Sequence, residues 1–282
     1  MKTGLVMEGG GMRGLFTAGV LDVWMEQGLT FDGAVGVSAG VAIGCNFKSR
    51  QIGRAIRYNI RFAEDKRYKG ISSLIKTGDI FGADFCYREI PQHLDVFDTE
   101  TYRRNPMDFY GVATDVEKGI PVYKNLLKGD EQDLMFMRAS ASLPMVSRVV
   151  PFGDRKLLDG GITDSIPLKF LEGRGYPKNV VILTQPRGFV KHKSSLIPVA
   201  KLTLRDYPKM IECMAKRHLM YNLQTAYVAE REKEGAAFVI APQEPLNIPN
   251  LERDGSELMR VYYAGREEAL RTWNDLQAFL NR

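Results

Sequence analysis

The chain alternates between short apolar runs and longer stretches whose apolar residues recur at helical spacing. The short runs predict strands at residues 4–7, 33–37, 109–114, 120–123, 149–152, 156–158, 179–184 and 237–241. Helical spacing predicts helices between them, beginning with residues 15–26 and 39–47. Strands that alternate with helices are typical of an α/β fold, so we expect a three-layer α/β/α sandwich around a mainly parallel sheet.

The rest of the chain fits the same single domain, residues 1–282. Residues 50–105 are predicted to form helices and loops, and we interpret this helical insertion as a lid or as one wall of an acyl groove. The C-terminal part, residues 179–282, contains a long helix over 202–232 that Pro208 interrupts and a closing helix over 256–280. Ligands of such folds bind at the carboxyl ends of the strands, where we expect the site.

A candidate nucleophile lies where the second predicted strand passes into a helix. Residues 36–40 read G-V-S-A-G, which matches the nucleophile-elbow pattern G-x-S-x-G in the strand-to-helix context that it requires. The small residues Gly36, Ala39 and Gly40 permit the tight turn. The turn presents the hydroxyl of Ser38 at the positive end of a helix, which favours developing negative charge. Alone, the pattern also fits an ordinary glycine-rich turn with a capping serine.

A glycine-rich loop follows the first predicted strand. Residues 9–14 read G-G-G-M-R-G, and the missing side chains leave backbone N–H groups uncovered as donors to an oxyanion, a phosphate or a carboxylate. The spacing also fits the dinucleotide fingerprint G-x-G-x-x-G, which needs an acidic residue at the end of the second strand. Asp32 lies before that strand and not at its end, so the dinucleotide interpretation is the weaker one.

A third candidate is Asp159, which ends an apolar run and precedes two glycines. By itself this segment fits a hairpin turn. The three segments together, however, have the order of the motifs of patatin-like phospholipases, and the sequence closely resembles that family. Residues 9–14 correspond to its G-G-G-x-[RK]-G block, residues 36–40 to G-x-S-x-G and residues 159–161 to D-G-[GA]. The likeness extends from residue 3 to about residue 170.

The resemblance implies a catalytic dyad of Ser38 and Asp159 that hydrolyses fatty-acyl esters through an acyl-enzyme intermediate, without a metal or cofactor. A carboxylate with an ordinary pKa is a weak base. We expect burial to raise the pKa of Asp159 and so to strengthen it as a base. The resemblance also implies an oxyanion hole of backbone N–H groups and a set of motif-supporting residues. The oxyanion-hole residues are Gly9, Gly10, Gly11 and Met12, and the supporting residues are Arg13, Gly14, Gly36, Ala39, Gly40, Gly160 and Gly161.

The histidines independently favour a dyad over a triad. The chain has three histidines: His93 lies in helix-like surroundings, and neither His192 nor His218 stands beside a glycine turn or a strand end. A triad in the α/β-hydrolase order would have to use His192 or His218. We therefore expect Asp159 to act as the base without help from a histidine.

The predicted function is hydrolysis of phospholipids or lysophospholipids, and two alternatives stay open. One is a thioesterase or small-ester hydrolase that uses the same dyad. The other is a non-enzymatic nucleotide- or lipid-binding module that uses the glycine-rich loop. Arg13 also has two interpretations: it neutralises a phosphate head group, or it pairs with a carboxylate and braces the loop, and we favour the structural role.

Composition and charge limit the partners and the location. The net charge of +5 is modest and no nucleic-acid recognition motif accompanies it, so we expect a lipid or acyl-ester substrate and no nucleic acid. Three cysteines without metal-ligand spacing favour a reducing compartment. The N-terminal segment does not resemble a signal peptide, and the longest uncharged stretch is too short to span a bilayer, so we expect a cytoplasmic protein.

One basic stretch raises the question of contact with a membrane surface. A helix would place four of its arginines on one face, with aromatic residues among them: Arg50, Arg54, Arg57 and Arg61, with Tyr58, Phe62 and Tyr68. An ordinary solvated helix face is the simpler interpretation. The sharper one is a basic-aromatic patch that makes peripheral contact with anionic lipid.

Overall fold

The computed structural model describes residues 1–281 and contains a central sheet with helices on both faces. The strands are β1 (Thr3–Met7), β2 (Gly33–Val37), β3 (Asp108–Asp115), β4 (Ile120–Asn125), β5 (Val150–Phe152), β6 (Arg155–Asp159), β7 (Lys178–Ile182) and β8 (Ala237–Ile240). The helices are α1 (Gly14–Glu26), α2 (Ala39–Lys48), α3 (Arg54–Arg61), α4 (Ile71–Thr77), α5 (Thr99–Arg104), α6 (Glu131–Ser140), α7 (Leu168–Gly173), α8 (Ile197–Thr203), α9 (Pro208–Lys233), α10 (Gly255–Arg271) and α11 (Trp273–Asn281). Short 3₁₀ helices cover Gly11–Arg13 and Gly160–Ile162, and a π-helix covers Phe85–Leu94.

The sheet is mainly parallel. Strands β3, β2, β1, β7 and β8 run parallel in that order, and β4, β5 and β6 add antiparallel pairings. Each predicted strand is present to within two residues at either end. The expected α/β class, a three-layer sandwich around a mainly parallel sheet, is therefore confirmed.

The pairing register of β3 brings two strand ends together. Strand β4 lies along one edge of β3, and β2 and β6 share the opposite edge. Strand β2 covers that edge up to Val112, which pairs with Val37, and antiparallel β6 continues from Ala113, which pairs with Asp159. The carboxyl ends of β2 and β6 therefore meet end to end. Ser38, one residue beyond Val37, consequently lies at the level of Asp159.

Strand side chains divide between two cores because successive residues point to opposite faces of a sheet. On β1, Leu5 and Met7 pack into one core and Val6 into the other. The first core is covered by α1, α2, α6, α10 and α11, and the second by α7 and α9. Helix α10 packs tightly on α1, since a Cβ on Gly265 would lie 2.0 Å from the Phe16 carbonyl oxygen. The C-terminal helices thus cover the same sheet as the helices that carry the motifs.

Two predictions about the C-terminal helices are wrong in detail. Pro208 does not interrupt a helix; it begins α9, where the missing N–H of proline costs no helical hydrogen bond. The single helix predicted over 256–280 is two helices, because α10 ends at Arg271 and α11 begins at Trp273. Between them, the Thr272 hydroxyl donates a hydrogen bond of 2.7 Å to the Glu268 carbonyl.

The basic stretch is divided between buried and exposed side chains. Residues 50–105 contain α3, α4, the π-helix and α5, and within α3 Arg54 is only 5% exposed and pairs with Asp95. Arg57 pairs with the same carboxylate, and the rings of Phe62 and Tyr68 are buried in a separate aromatic cluster. Asp95 and the burial of the rings therefore hold part of this stretch inward, whereas Arg57 and Arg61 remain exposed to solvent. Among the helices of residues 1–281, none combines the length and the apolar composition that crossing a bilayer requires.

Candidate active site

The candidate nucleophile Ser38 occupies the turn between β2 and α2. Its backbone has φ 54° and ψ −120°, a conformation that is sterically costly for a residue with a side chain. The turn is possible because the backbones at Gly36 and Gly40 touch, so that a Cβ on Gly36 would lie 2.6 Å from the Gly40 carbonyl carbon. Ser140, at the end of α6, accepts a hydrogen bond of 3.0 Å from the Ser38 N–H. This is the geometry that a nucleophile elbow requires.

The candidate base Asp159 is 3% exposed at the end of β6. Its Oδ1 accepts a hydrogen bond of 2.8 Å from the Gly161 N–H, whereas Oδ2 has no hydrogen-bond partner among residues 1–281. Burial raises the pKa of Asp159, as expected, while the Ser38 hydroxyl and Arg217 act in the opposite direction. The hydroxyl is thus near the carboxylate without a hydrogen bond of standard geometry, and such bonds in enzymes often tighten only when substrate binds.

The glycine-rich loop lies directly against the nucleophile. A Cβ on Gly9 would lie 2.9 Å from the Ser38 Cβ, and Gly11 has φ +56°, which favours glycine. The 3₁₀ turn Gly11–Arg13 begins here, and the first N–H groups of a helical turn have no partner within it. Within residues 1–281, the N–H groups of Gly11, Met12 and Ala39 donate to no turn, loop or side-chain acceptor, whereas the Arg13 N–H donates to the Gly10 carbonyl. Residues with unused donors therefore line the same cavity as Ser38.

The remaining motif residues stand where backbone segments touch. A Cβ would lie 2.8 Å from the Ala39 Cβ if placed on Gly14, and 2.1 Å from the Val112 carbonyl oxygen if placed on Gly160.

Arg13 departs from expectation, because it forms no ion pair with a carboxylate in the described part of the chain. Its Nε atom is buried without a hydrogen-bond partner. The bracing role expected for Arg13 therefore lacks the carboxylate partner that it needs.

Glu8 anchors the start of the glycine-rich loop, a role that sequence reasoning missed. Its side chain is buried, Oε2 accepts a hydrogen bond of 2.6 Å from the Thr184 N–H, and Oε1 accepts one of 2.8 Å from the Tyr221 hydroxyl. Burial raises the pKa of Glu8, and these hydrogen bonds and Arg13 act in the opposite direction. The two partners lie 176 and 213 residues away along the chain, so the loop depends on the C-terminal half of the protein.

Helix α9 holds the segment that follows Asp159. Arg217 Nε donates a hydrogen bond of 2.6 Å to the Gly161 carbonyl, and Gln224 Oε1 accepts one of 3.1 Å from the Ser165 N–H. Arg217, Tyr221 and Gln224 are four and three residues apart, which places them on one face of the helix. Such spacing identifies a face but not the segment that it contacts, so no signal in the sequence assigned these residues to the site.

Two cavities adjoin at Ser38. The larger, of about 150 Å³, is mostly apolar, and the residues that line it include Met12, Leu15, Ala42, Ile43, Phe81 and Met137. The smaller, of about 120 Å³, is polar, and the residues that line it include Glu8, Arg13, Asp159, Lys191, Arg217 and Tyr221. No histidine lines either cavity. Within residues 1–281, no group of three or more histidine, cysteine or acidic side chains is placed to hold a metal ion.

Comparison with known proteins assigns the chain to a family. Residues 5–171 match the family model described as patatin-like phospholipase, so the chain belongs to the patatin-like phospholipase family, as its motifs predicted. Residues 207–281, which include α9, match a domain of unknown function, DUF6363.

Two individual proteins also show similarity to this chain. The uncharacterized protein YjjU of Escherichia coli (strain K12) is 32% identical over 195 residues, which cover 66% of this chain and 52% of YjjU. The chain therefore spans about half the length of this curated relative. Among solved structures, VipD from Legionella pneumophila is similar with a TM-score of 0.47 and 15% sequence identity, over 97% of this chain and 67% of VipD.

Proposed function

We propose that the protein is a serine acyl hydrolase that cleaves fatty-acyl esters of phospholipids or lysophospholipids. Membership of the patatin-like phospholipase family supports lipid acyl hydrolase activity at the level of the family. The observation that carries the proposal is the convergence of Ser38 and Asp159 where β2 and β6 meet along β3. The apolar cavity beside Ser38 supports an acyl chain as the hydrophobic half of the substrate.

In the proposed reaction, Asp159 accepts the proton of the Ser38 hydroxyl as the oxygen attacks the ester carbonyl carbon. The tetrahedral oxyanion accepts hydrogen bonds from unused N–H groups of the glycine-rich loop, with the Ala39 N–H as a further donor. The intermediate collapses, the alcohol leaves with the proton from Asp159, and the acyl group stays on Ser38. Water then attacks the acyl-enzyme with Asp159 again as the base, which releases the fatty acid and restores the hydroxyl.

The elevated pKa of Asp159 suits this role. A carboxylate with an ordinary pKa of about 3.9 is a poor base for a hydroxyl at neutral pH. Burial of Asp159 raises the pKa and strengthens the base, and the free Oδ2 gives the incoming proton an acceptor. A histidine is not required in this scheme.

The test is labelling and hydrolysis with matched variants. A fluorophosphonate probe should label wild-type protein on Ser38, identified by mass spectrometry, and Ser38→Ala should abolish both labelling and hydrolysis of a medium-chain ester. Asp159→Asn should lower kcat by about 10³-fold or more. Asp154→Asn is the matched control, since Asp154 is exposed in the β5–β6 turn and should leave kcat unchanged. Near-normal turnover in Asp159→Asn together with loss of activity in His218→Ala would refute the dyad.

A further inference from the structure

The polar cavity beside Ser38 collects three cations from distant parts of the chain. Arg13 comes from the glycine-rich loop, Lys191 from the segment after β7, and Arg217 from α9. None of the three forms an ion pair with a carboxylate of residues 1–281. Arg13 Nε is buried without a hydrogen-bond partner, and Lys191 Nζ lies 4.7 Å from the centre of the Tyr221 ring. All three residues are partly buried, and charges withdrawn from water are normally paired, so a cluster of cations without ion pairs is unusual.

The carboxylates of the cavity, Glu8 and Asp159, offset the charge of the three cations only in part, because two acids face three bases. Both oxygens of Glu8 are occupied, by the Thr184 N–H and the Tyr221 hydroxyl, at 2.6 and 2.8 Å. Asp159 carries the proposed base function toward Ser38. Burial lowers the pKa of Lys191 to about 8, and Arg217 and Arg13 contribute to this decrease, whereas Glu8 opposes it. The cations therefore repel one another, and a bound anion would relieve that repulsion.

We propose that Arg13, Lys191 and Arg217 form a subsite for a phosphate group in the alcohol half of the substrate ester. Guanidinium groups match phosphate oxygens in paired geometry, and a lysine adds a compact charge. The proposal rests on the proposed function, because it places the ester carbonyl at Ser38, the acyl chain in the apolar cavity and the phosphate in the polar cavity.

The subsite also gives a role to the C-terminal region. Lys191 and Arg217 lie outside the residues that match the patatin-like phospholipase model, and Arg217 lies within the match to the domain of unknown function. Arg217 is already fixed by its hydrogen bond to the Gly161 carbonyl, which leaves its terminal amino groups for an anion. In this protein the C-terminal region therefore supplies specificity for the substrate head group.

A matched pair of substrates tests the subsite. Octanoylglycerol phosphate and monooctanoylglycerol have the same acyl chain and differ in the phosphate, and both are short enough to assay as monomers. We expect wild-type protein to prefer the phosphorylated ester in kcat/KM. Lys191→Gln should reduce the ratio of the two kcat/KM values about tenfold, the effect of one lost hydrogen bond to a charged group. Lys216→Gln, which removes an exposed cation paired with Glu212 on the same helix, should leave the ratio unchanged.

A binding measurement separates this proposal from the proposed function. Isothermal titration calorimetry of inorganic phosphate with Ser38→Ala protein requires no catalysis, and we expect binding that Lys191→Gln and Arg13→Gln weaken. If wild-type protein hydrolyses neither ester, the proposed function fails and the calorimetry still reports on the anion site. An unchanged ratio in Lys191→Gln would overturn the subsite, even if free phosphate binds. Equal losses with both esters would also overturn it, because they would indicate a structural role for Lys191.

Discussion

Replacement of Tyr221 by phenylalanine tests whether α9 holds the glycine-rich loop. Tyr221 is 2% exposed and its hydroxyl donates a hydrogen bond of 2.8 Å to Glu8 Oε1. The ring remains in the variant, so the loss is confined to one hydrogen bond with a buried carboxylate. Hydrogen bonds to charged groups contribute about 1.5–3 kcal/mol, and the Glu8 oxygen is left unpaired. We expect Tyr221→Phe to lower the free energy of unfolding by about 2 kcal/mol, measured by urea denaturation at neutral pH.

A second substitution shows whether that loss comes from the pair. Glu8→Gln keeps an acceptor for the Thr184 N–H and a donor for the Tyr221 oxygen, so the two contacts survive without the charge. Tyr221→Phe should therefore cost about 1 kcal/mol less in the Glu8→Gln background than in wild type. For activity, Tyr227→Phe on the same helix is the control, because its hydroxyl contacts Glu172 and not the loop. Wild-type stability and turnover in Tyr221→Phe would refute the anchoring role.

Three further predictions concern the base, the strand junction and the acyl cavity. Burial raises the pKa of Asp159, and the base must be deprotonated to act, so kcat/KM for a neutral ester should fall as the pH decreases. A pH–rate profile should place the midpoint of this fall above the ordinary aspartate pKa of about 3.9. A midpoint at or below that value would contradict the prediction. Gly160→Ala places a Cβ 2.1 Å from the Val112 carbonyl oxygen and should lower the free energy of unfolding, measured by urea denaturation, by about 1–3 kcal/mol or more. Gly173→Ala is the control: no atom lies within 4 Å of its new Cβ, so it should not destabilise the protein. Ala42→Phe fills the apolar cavity and should lower kcat/KM for a long-chain ester about tenfold relative to kcat/KM for an acetyl ester. Equal losses with both esters would show that the cavity does not hold the acyl chain.

The local parts of the fold follow from the sequence because their signals are local. Apolar runs predicted the strands, and the G-x-S-x-G pattern predicted the turn at Ser38, whose positive φ and close glycine contacts leave few other sequences possible. Two short apolar runs predicted the two strands that precede Asp159, and these strands pair as a hairpin. What the sequence could not supply was the register of β3, which decides that Ser38 and Asp159 meet.

The residues that the sequence did not reveal make long-range contacts. Tyr221 contacts Glu8 across 213 positions and Arg217 contacts Gly161 across 56, and neither pair belongs to a motif. The basic stretch shows the same limit, because the partner that holds Arg54 inward, Asp95, lies 41 residues further along the chain. Helical spacing predicts that residues share a face, and only the tertiary structure shows what that face contacts.

The end-to-end meeting of β2 and β6 on one edge of β3 separates the chemistry from the specificity of this protein. Hydroxyl and carboxylate are both fixed by main-chain pairing to a single buried strand, so their spacing is set by the geometry of the sheet. The walls of the two cavities come partly from the glycine-rich loop, α1 and α2, and partly from segments outside the motifs: the insertion, α6 and the C-terminal region. Evolution or engineering can therefore exchange the segments outside the motifs and reshape the cavities while Ser38 and Asp159 keep their alignment.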